Sequence, residues 1–482
     1  MTGRESYHEV FCVADDPQRR FHRGMLETRL EHDSMGELAV PADALYGAST
    51  QRAVENFPIS GETMNPALIH AYGLIKEAAA LANAKLGTLP QELAAPIAAA
   101  SREVADGKHD AHFPVDVYQT GSGTSTNMNA NEVIATLCRQ AGHEIHPNDH
   151  VNLGQSSNDT FPTAIHIATC MELRDTLIPA LETLQSSLSK KAEEFHHVLK
   201  IGRTHLMDAV PMRLGQEFSG YAKQAEHGVD RCRKAITTLL EIPLGGTAIG
   251  TGLNRHEKFP ETAFALLNTR TGFEFQRAEN PFEAQAARDA LVEAHGQLNT
   301  IATSLFKIAN DIRLLGSGPR CSIGEISLPA IQPGSSIMPG KVNPVLCEAL
   351  TMVAARVFGN HTTVTFCGAN GQFELNTFMP LLGQTILESI RLLASASIAF
   401  SEKCVAGIIA NEARCEELIE LSLSMVTSLV PLIGYDKSAA IAKESMKTGR
   451  TVRQICEEKL SDLGLTSGQL ADALDPASMA GD

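Results

Sequence analysis

From about residue 156 to residue 408, apolar positions return at helical spacing over stretches longer than a compact α/β unit uses. The clearest stretch is Phe282–Leu315. There Ala287, Leu291, Ala294, Leu298, Ile301, Leu305, Ile308, Ile312 and Leu315 alternate steps of four and three, which is a heptad seam. At about 1.5 Å per residue such a helix is roughly 50 Å long. The same reading predicts helices over Thr163–Phe195, kinked at Pro179, and over Pro211–Glu241, Val345–Phe358 and Asn376–Gly407. Several long helices with apolar seams make a bundle. Leu381–Leu393 is apolar on more than one face, which predicts burial all round and packing against copies of the same chain.

The pattern changes on either side. Residues 26–155 are mixed: Gly36, Pro41 and Gly47 punctuate short segments, and helical stretches follow at Pro66–Gly87 and from Asn131. Residues 409–482 are shorter-stepped, more charged and helical. The expected organisation is an N-terminal extension over 1–25, poorly ordered, an N-terminal domain over 26–155, a central helical-bundle domain over 156–408 and a small C-terminal helical domain over 409–482. The fold class is mainly α.

Composition narrows the function. The 482 residues carry a net charge of -16 with no basic run to offset it, which argues against nucleic acid as a partner. No apolar run approaches the ~20 residues of a membrane span, so no membrane association is expected. The first 25 residues mix acids with arginines and lack an apolar core, unlike a signal or transit peptide. The ten cysteines are scattered, without metal-ligand spacing, and fit reduced thiols in a cytoplasmic protein.

Polar loops interrupt the helices, and they carry the candidate chemistry. Pro333–Pro344 reads P-G-S-S-I-M-P-G-K-V-N-P and sets Ser335, Ser336, Lys341 and Asn343 on one Gly/Pro-rich loop. It is not a nucleotide P-loop, because five residues rather than four separate Gly334 from Gly340 and Val342 stands at the metal-binding hydroxyl position. Thr120–Asn131 supplies Ser122 and Thr124; His146–Pro162 supplies Ser156, Ser157 and Asn158 ahead of a long helix. Both could hold an anion, and both are equally well explained as helix caps, Ser157 or Asp159 being the cap of the second. Gly202–Pro211 places Thr204 and His205 just before a helix; a histidine paired with a carboxylate, here Glu348, is an acid or base near neutral pH. Pro243–Asn254 is Gly-rich but matches no phosphate-binding motif.

Together these stretches resemble the fumarase/aspartase superfamily, whose signature G-S-S-x-M-P-x-K-x-N-P is met by Gly334–Pro344. The resemblance covers roughly residues 26–480 and is greatest to class II fumarases. His205 and the T-G-S-G-T of Thr120–Thr124 separate it from the aspartases, which usually have Gln and G-G-A-G-T at those places. It implies a three-domain subunit whose long-helix bundle forms a homotetramer, with each active site shared by three subunits. It implies reversible hydration of fumarate to L-malate through an aci-carboxylate carbanion, with no metal or organic cofactor.

By the same resemblance Ser335 takes the C3 proton, and Lys341 and Asn343 hold the carboxylate that gains charge. Ser122, Thr124, Asn158 and Thr204 complete the donors, with Ser156, Ser157 and Ser336 as further candidates. His205 with Glu348 serves the departing water. An accessory dicarboxylate site of the family maps to His146, Asn148 and Asp149. The preceding His143, Glu144 and Ile145 replace the basic residues usual there and argue against it. His361 stands where Asp is usual and has no assigned role. The alternatives are an aspartate ammonia-lyase and a catalytically inactive helical scaffold.

Overall fold

Asn65 accepts the backbone N–H of Ala67 and Pro66 fills the first turn, so a long helix opens where the sequence places it. A computed structural model describes residues 27–481; the extension expected at 1–25 lies outside the described residues. The chain begins with an antiparallel hairpin, β1 (Thr28–Asp33) and β2 (Gly36–Pro41). Helices α1 (Ala48–Asn56), α2 (Pro66–Lys85), α3 (Gln91–Ala105) and α4 (Thr124–Gln140) follow. Next come α5 (Ser157–Glu172) and α6 (Ile178–Glu194), then a second hairpin of β3 (Leu199–Thr204) and β4 (Met207–Arg213). The remaining long elements are α7 (Leu214–Thr238), α8 (Phe259–Thr271), α9 (Pro281–Ala286), α10 (Asp289–Leu315), α11 (Val345–Ala369) and α12 (Met379–Lys403). Short helices fill the chain from Glu412–Leu421 to Pro476–Ala480.

The bundle forms from α5, α6, α7, α10, α11 and α12. Helix α10 packs on α11 and α7, α6 packs on α7 and α12, and α12 also meets α5. The heptad seam of α10 is buried from Leu291 to Leu315. A second apolar core gathers Ile419, Met425, Leu429, Ile441, Ile455 and Leu470 of the C-terminal helices around Ile201 of β3.

Several boundaries differ from the sequence reading, each for a physical reason. The helix expected over Phe282–Leu315 breaks at Ala287, which is extended (φ -87, ψ 157). The fully buried Arg288 guanidinium turns back to the carbonyls of Ala284 and Gln285 and closes α9 there. Between α5 and α6 the chain winds as a π turn, Leu173–Leu177, just before Pro179. Pro211 lies in β4, so α7 starts at Leu214 and Thr204 and His205 stand on a hairpin rather than before a helix. Helix α4 starts at Thr124, inside a segment read as a loop. Its inward residues Thr126, Asn127, Asn129 and Asn131 are buried but polar, so apolar periodicity could not reveal it. Helix α11 runs on to Ala369 because its polar residues find partners inside the bundle: Asn360 donates to Ser389 Oγ at 3.0 Å.

Most of Leu381–Leu393 is buried against α5, α6 and α11 of the same chain, with Arg391 left exposed. The apolar surface left over lies on neighbouring helices, at Phe306 and Leu314 of α10 and at Met352 and Phe366 of α11, the last two 67% and 61% exposed.

Candidate active site

Two helix N-termini converge. Gly123, at φ 73, precedes α4, and a Cβ there would lie 1.9 Å from the Phe161 ring, so only glycine brings α4 this close to α5. Across that contact Thr124 Oγ1 lies 2.7 Å from Ser157 Oγ and 2.8 Å from Ser122 Oγ. Three hydroxyls therefore form one chain at two helix starts, where unpaired amides and the helix dipoles favour an anion.

The cap of α5 is Ser156, where Ser157 or Asp159 was expected. Ser156 Oγ accepts from Asn158 N at 3.2 Å, and Asp159 Oδ1 accepts from Ser156 N at 2.9 Å, a capping box. Ser156 is thus engaged locally, which leaves Ser157 free to reach Thr124. Asn158 Nδ2 donates to Ala248 O at 2.8 Å. The fully buried Asp159 accepts the N–H groups of Gly245 and Thr247, each at 2.9 Å. Burial raises its carboxyl to about 6, against the amides of Ser156, Thr247 and Gly245 and the charge of Lys76. The Gly-rich Pro243–Asn254 loop thus turns its amides inward, onto this carboxylate.

A cavity of about 670 Å³ opens beside Thr124, lined by Thr120, Ser125, Arg52, His146 and Asn148 among others. Arg52 is its one Lys or Arg, and Asp33 holds it through two contacts at 2.8 and 3.2 Å. His146 Nδ1 accepts from Asp149 N at 3.1 Å and lies 3.2 Å from the Asp149 carboxylate, which points to solvent.

The Pro333–Pro344 loop is closed on itself. Gly334 N donates to Lys341 O at 2.9 Å, and Asn343 Nδ2 donates to Gly334 O at 2.7 Å. A Cβ on Gly334 would sit 2.3 Å from Lys341 O, so the closure demands glycine. Ser335 Oγ accepts the N–H groups of Ile337 and Met338, both at 3.2 Å. Two amides aimed at one hydroxyl oxygen favour its alkoxide. Ser336 and Lys341 are exposed, and the loop lines its own cavity of about 550 Å³.

Thr204 and His205 are exposed at the tip of the β3–β4 hairpin. Thr204 pairs with Met207, and His205 and Leu206 form the two-residue turn with φ of 58 and 61. Such a turn prefers Asn or Gly, so two ordinary side chains in left-handed backbone are strained. Beneath the tip, Lys200 Nζ contacts Glu217 at 3.1 Å and Glu325 at 3.3 Å, and Arg203 forks onto Glu325 at 2.8 and 3.0 Å. Glu325 is fully buried on the stem that leads to the Ser335 loop. Apolar patterning missed this cluster, together with Lys76 and Asp159. The visible signal was a charged residue set within an apolar run, as Lys76 and Glu77 are in L-I-K-E-A-A-A of α2.

Within the described residues, no hydrogen bond or ion pair joins the Ser335 loop or the His205 tip to the Thr124–Ser157 hydroxyls, and none joins His205 to Glu348, which is exposed on α11. No group of three or more His, Cys, Asp or Glu among them is arranged to hold a metal ion.

A family model described as lyase matches residues 36–359, and one described as fumarase C C-terminus matches residues 425–481. The fumarate hydratase class II of Corynebacterium glutamicum is 56% identical over 92% of this chain and 93% of its own length. That of Mycobacterium tuberculosis is 55% identical over 92% of this chain and 93% of its own. The crystal structure of class II fumarase from Schistosoma mansoni superposes with a TM-score of 0.89 at 41% identity, covering 94% of this chain and 99% of that one. The chain belongs to this lyase family and, within it, to the class II fumarate hydratases.

Proposed function

We propose that the protein is a fumarate hydratase that interconverts fumarate and L-malate, with Ser335, His205, Glu348 and Lys341 as its catalytic residues. The observation that carries this reading is the Ser335 hydroxyl set against the amides of Ile337 and Met338, on a loop that continues into Lys341 and Asn343. In the malate direction the Ser335 alkoxide takes the C3 proton, and the electron pair left behind moves into the adjoining carboxylate as the aci-form. Lys341 and Asn343 hold that carboxylate. Ser122, Thr124, Ser157, Asn158 and Thr204 hold the rest of the dianion, with Ser156 and Ser336 as outlying donors. The pair then returns to form the C2–C3 double bond as the C2 hydroxyl takes a proton from the His205 imidazolium, steadied by Glu348, and leaves as water. The largest contribution is electrostatic, because the intermediate carries one more negative charge than the substrate.

One chain does not bring these groups together, and we assign the complete site to three subunits of a homotetramer. The exposed Phe306, Leu314, Met352 and Phe366 on the bundle helices support such an assembly. We place the protein in the cytoplasm. Its nine described cysteines are all free, eight of them buried, and no helix among the described residues is long and apolar enough to cross a membrane. An accessory dicarboxylate site at His146, Asn148 and Asp149 finds less support, since Arg52 beside it is already held by Asp33.

Offering the purified protein L-malate and L-aspartate tests the reading. Fumarate should appear from malate alone. Deamination of aspartate without dehydration of malate would replace the hydratase with an ammonia-lyase, and turnover of neither would indicate an inactive scaffold.

A further inference from the structure

Lys76 is fully buried in α2. Its Nζ donates to Asn127 Oδ1 at 2.9 Å, Asn152 Oδ1 at 3.0 Å and Gln155 Oε1 at 2.9 Å. Each acceptor is oriented by its own amide donors. Asn127 Nδ2 donates to Asn152 Oδ1, Asn152 Nδ2 to Gln155 O, and Gln155 Nε2 to the carbonyls of Val151 and Leu153. Three oxygens therefore face the nitrogen and use all three N–H groups of an ammonium; a neutral amine would turn its lone pair toward one of them. Among the described residues no carboxylate touches Lys76; Asp159 acts on it only through space. Burial pushes its pKa down to about 7, offset in part by the Asp159 charge, as expected for a cation whose direct contacts are all neutral dipoles.

Its position matters more. Asn127 lies one helical turn beyond Thr124 on α4, and Gln155 directly precedes Ser156 and Ser157 at the start of α5. Lys76 thus grips both segments whose hydroxyls meet at Thr124 and Ser157.

We propose that Lys76 is a positioning residue for the reaction: through Asn127 and Gln155 it fixes the two helix starts that carry Thr124 and Ser157, and its ammonium, unpaired by any carboxylate, sets a positive potential behind those hydroxyls that favours a dicarboxylate. A buried ion pair would fix the same geometry and supply no such field, which gives a reason for three amides at this place. The inference rests on the assignment of the hydroxyls to substrate carboxylate.

Two variants of the full-length protein separate the field from the scaffold. Asn152→Asp keeps the acceptor and neutralises the ammonium while losing the Nδ2 bond to Gln155 O; Lys76→Gln removes the charge, keeps a donor and leaves that bond in place. Each, when folded, should lower kcat/KM for L-malate at least tenfold, mainly through KM, and weaken inhibition by succinate in proportion. Thermal midpoint and oligomeric state establish folding. Either variant folded and within twofold of wild type in kcat/KM overturns the proposal. Loss of folding in both also counts against it, since Lys76 is then a structural cross-link. Thr124→Val is measured alongside. If it leaves malate turnover intact, the hydroxyl assignment itself fails; if it is crippled while the charge variants are not, only the role of Lys76 falls.

Discussion

Thr124 Oγ1 and Ser157 Oγ are 2.7 Å apart although 33 residues separate them in the chain. Each side chain alone is adequately explained as a helix-terminal hydroxyl. Their contact joins an exposed hydroxyl, Thr124, to one only 8% exposed, Ser157, at two helix N-termini, the arrangement proposed above to hold a substrate carboxylate. Ser157→Ala should therefore lower kcat/KM for malate by about 100-fold, the usual effect of removing one preformed donor. The thermal midpoint should move little, because Ser156 rather than Ser157 caps α5. Steady-state kinetics and a melting curve on the same preparation check both halves.

Ser335→Ala removes the proposed proton acceptor from a loop otherwise held by Gly334, Lys341 and Asn343. Turnover should fall by about 1,000-fold or more while binding of a dicarboxylate inhibitor changes less than about threefold. For His205→Asn activity should also drop, and the pH–rate profile should lose one limb. Near-normal turnover in the first variant removes Ser335 as base; an unchanged profile in the second removes a titrating His205.

Glu325 carries no exposed surface and faces both Lys200 and Arg203. Glu325→Gln leaves Lys200 with Glu217 as its remaining acidic contact and takes from Arg203 the carboxylate it forks onto. Breaking a buried ionic cluster on one side costs about 3–5 kcal/mol. The melting temperature should fall by several degrees, and proteolysis should open first at the β3–β4 hairpin that presents His205. An unaltered melt would show that the cluster contributes nothing net.

Asp116 is a pH-dependent brace for the segment leading into Thr120–Thr124. Burial opposes its ionisation, but the amides of Tyr118, Ser60 and Gly61 and the Ser60 hydroxyl outweigh burial and hold the carboxyl below its ordinary 3.8. A depressed folded pKa stabilises above the unfolded value and is lost as pH falls through the folded one. Asp116→Asn should thus cost about 1–2 kcal/mol near neutral pH. The gap between wild type and variant should narrow as pH falls below the ordinary 3.8 and on through the lower folded value, in melts recorded from about pH 6 downward. A gap independent of pH would show that the carboxylate charge is not what braces this loop.

Much of this molecule was legible in its sequence, because the relevant physics is local. The heptad seam ending in Leu315 requires a buried helical stripe, and the Gly/Pro spacing of Pro333–Pro344 can only be a loop. Local chemistry failed where a long-range partner decided the outcome. Arg288 broke the longest predicted helix by capping its neighbour α9, and polar partners inside the bundle carried α11 past Phe358. The buried asparagines of α4 hid a helix from any reading that counts apolar positions. By itself the sequence determined the helical class, the position of the reactive loops and the identity of their side chains. Only the tertiary structure decided which of those groups meet. It joined Thr124 to Ser157, set two amides on Ser335, and put His205 on a strained hairpin over a buried ionic cluster. It also set Lys76 on three amide oxygens behind those helix starts. Contacts between segments far apart in the chain depend on packing and desolvation, and no local pattern of residues encodes them.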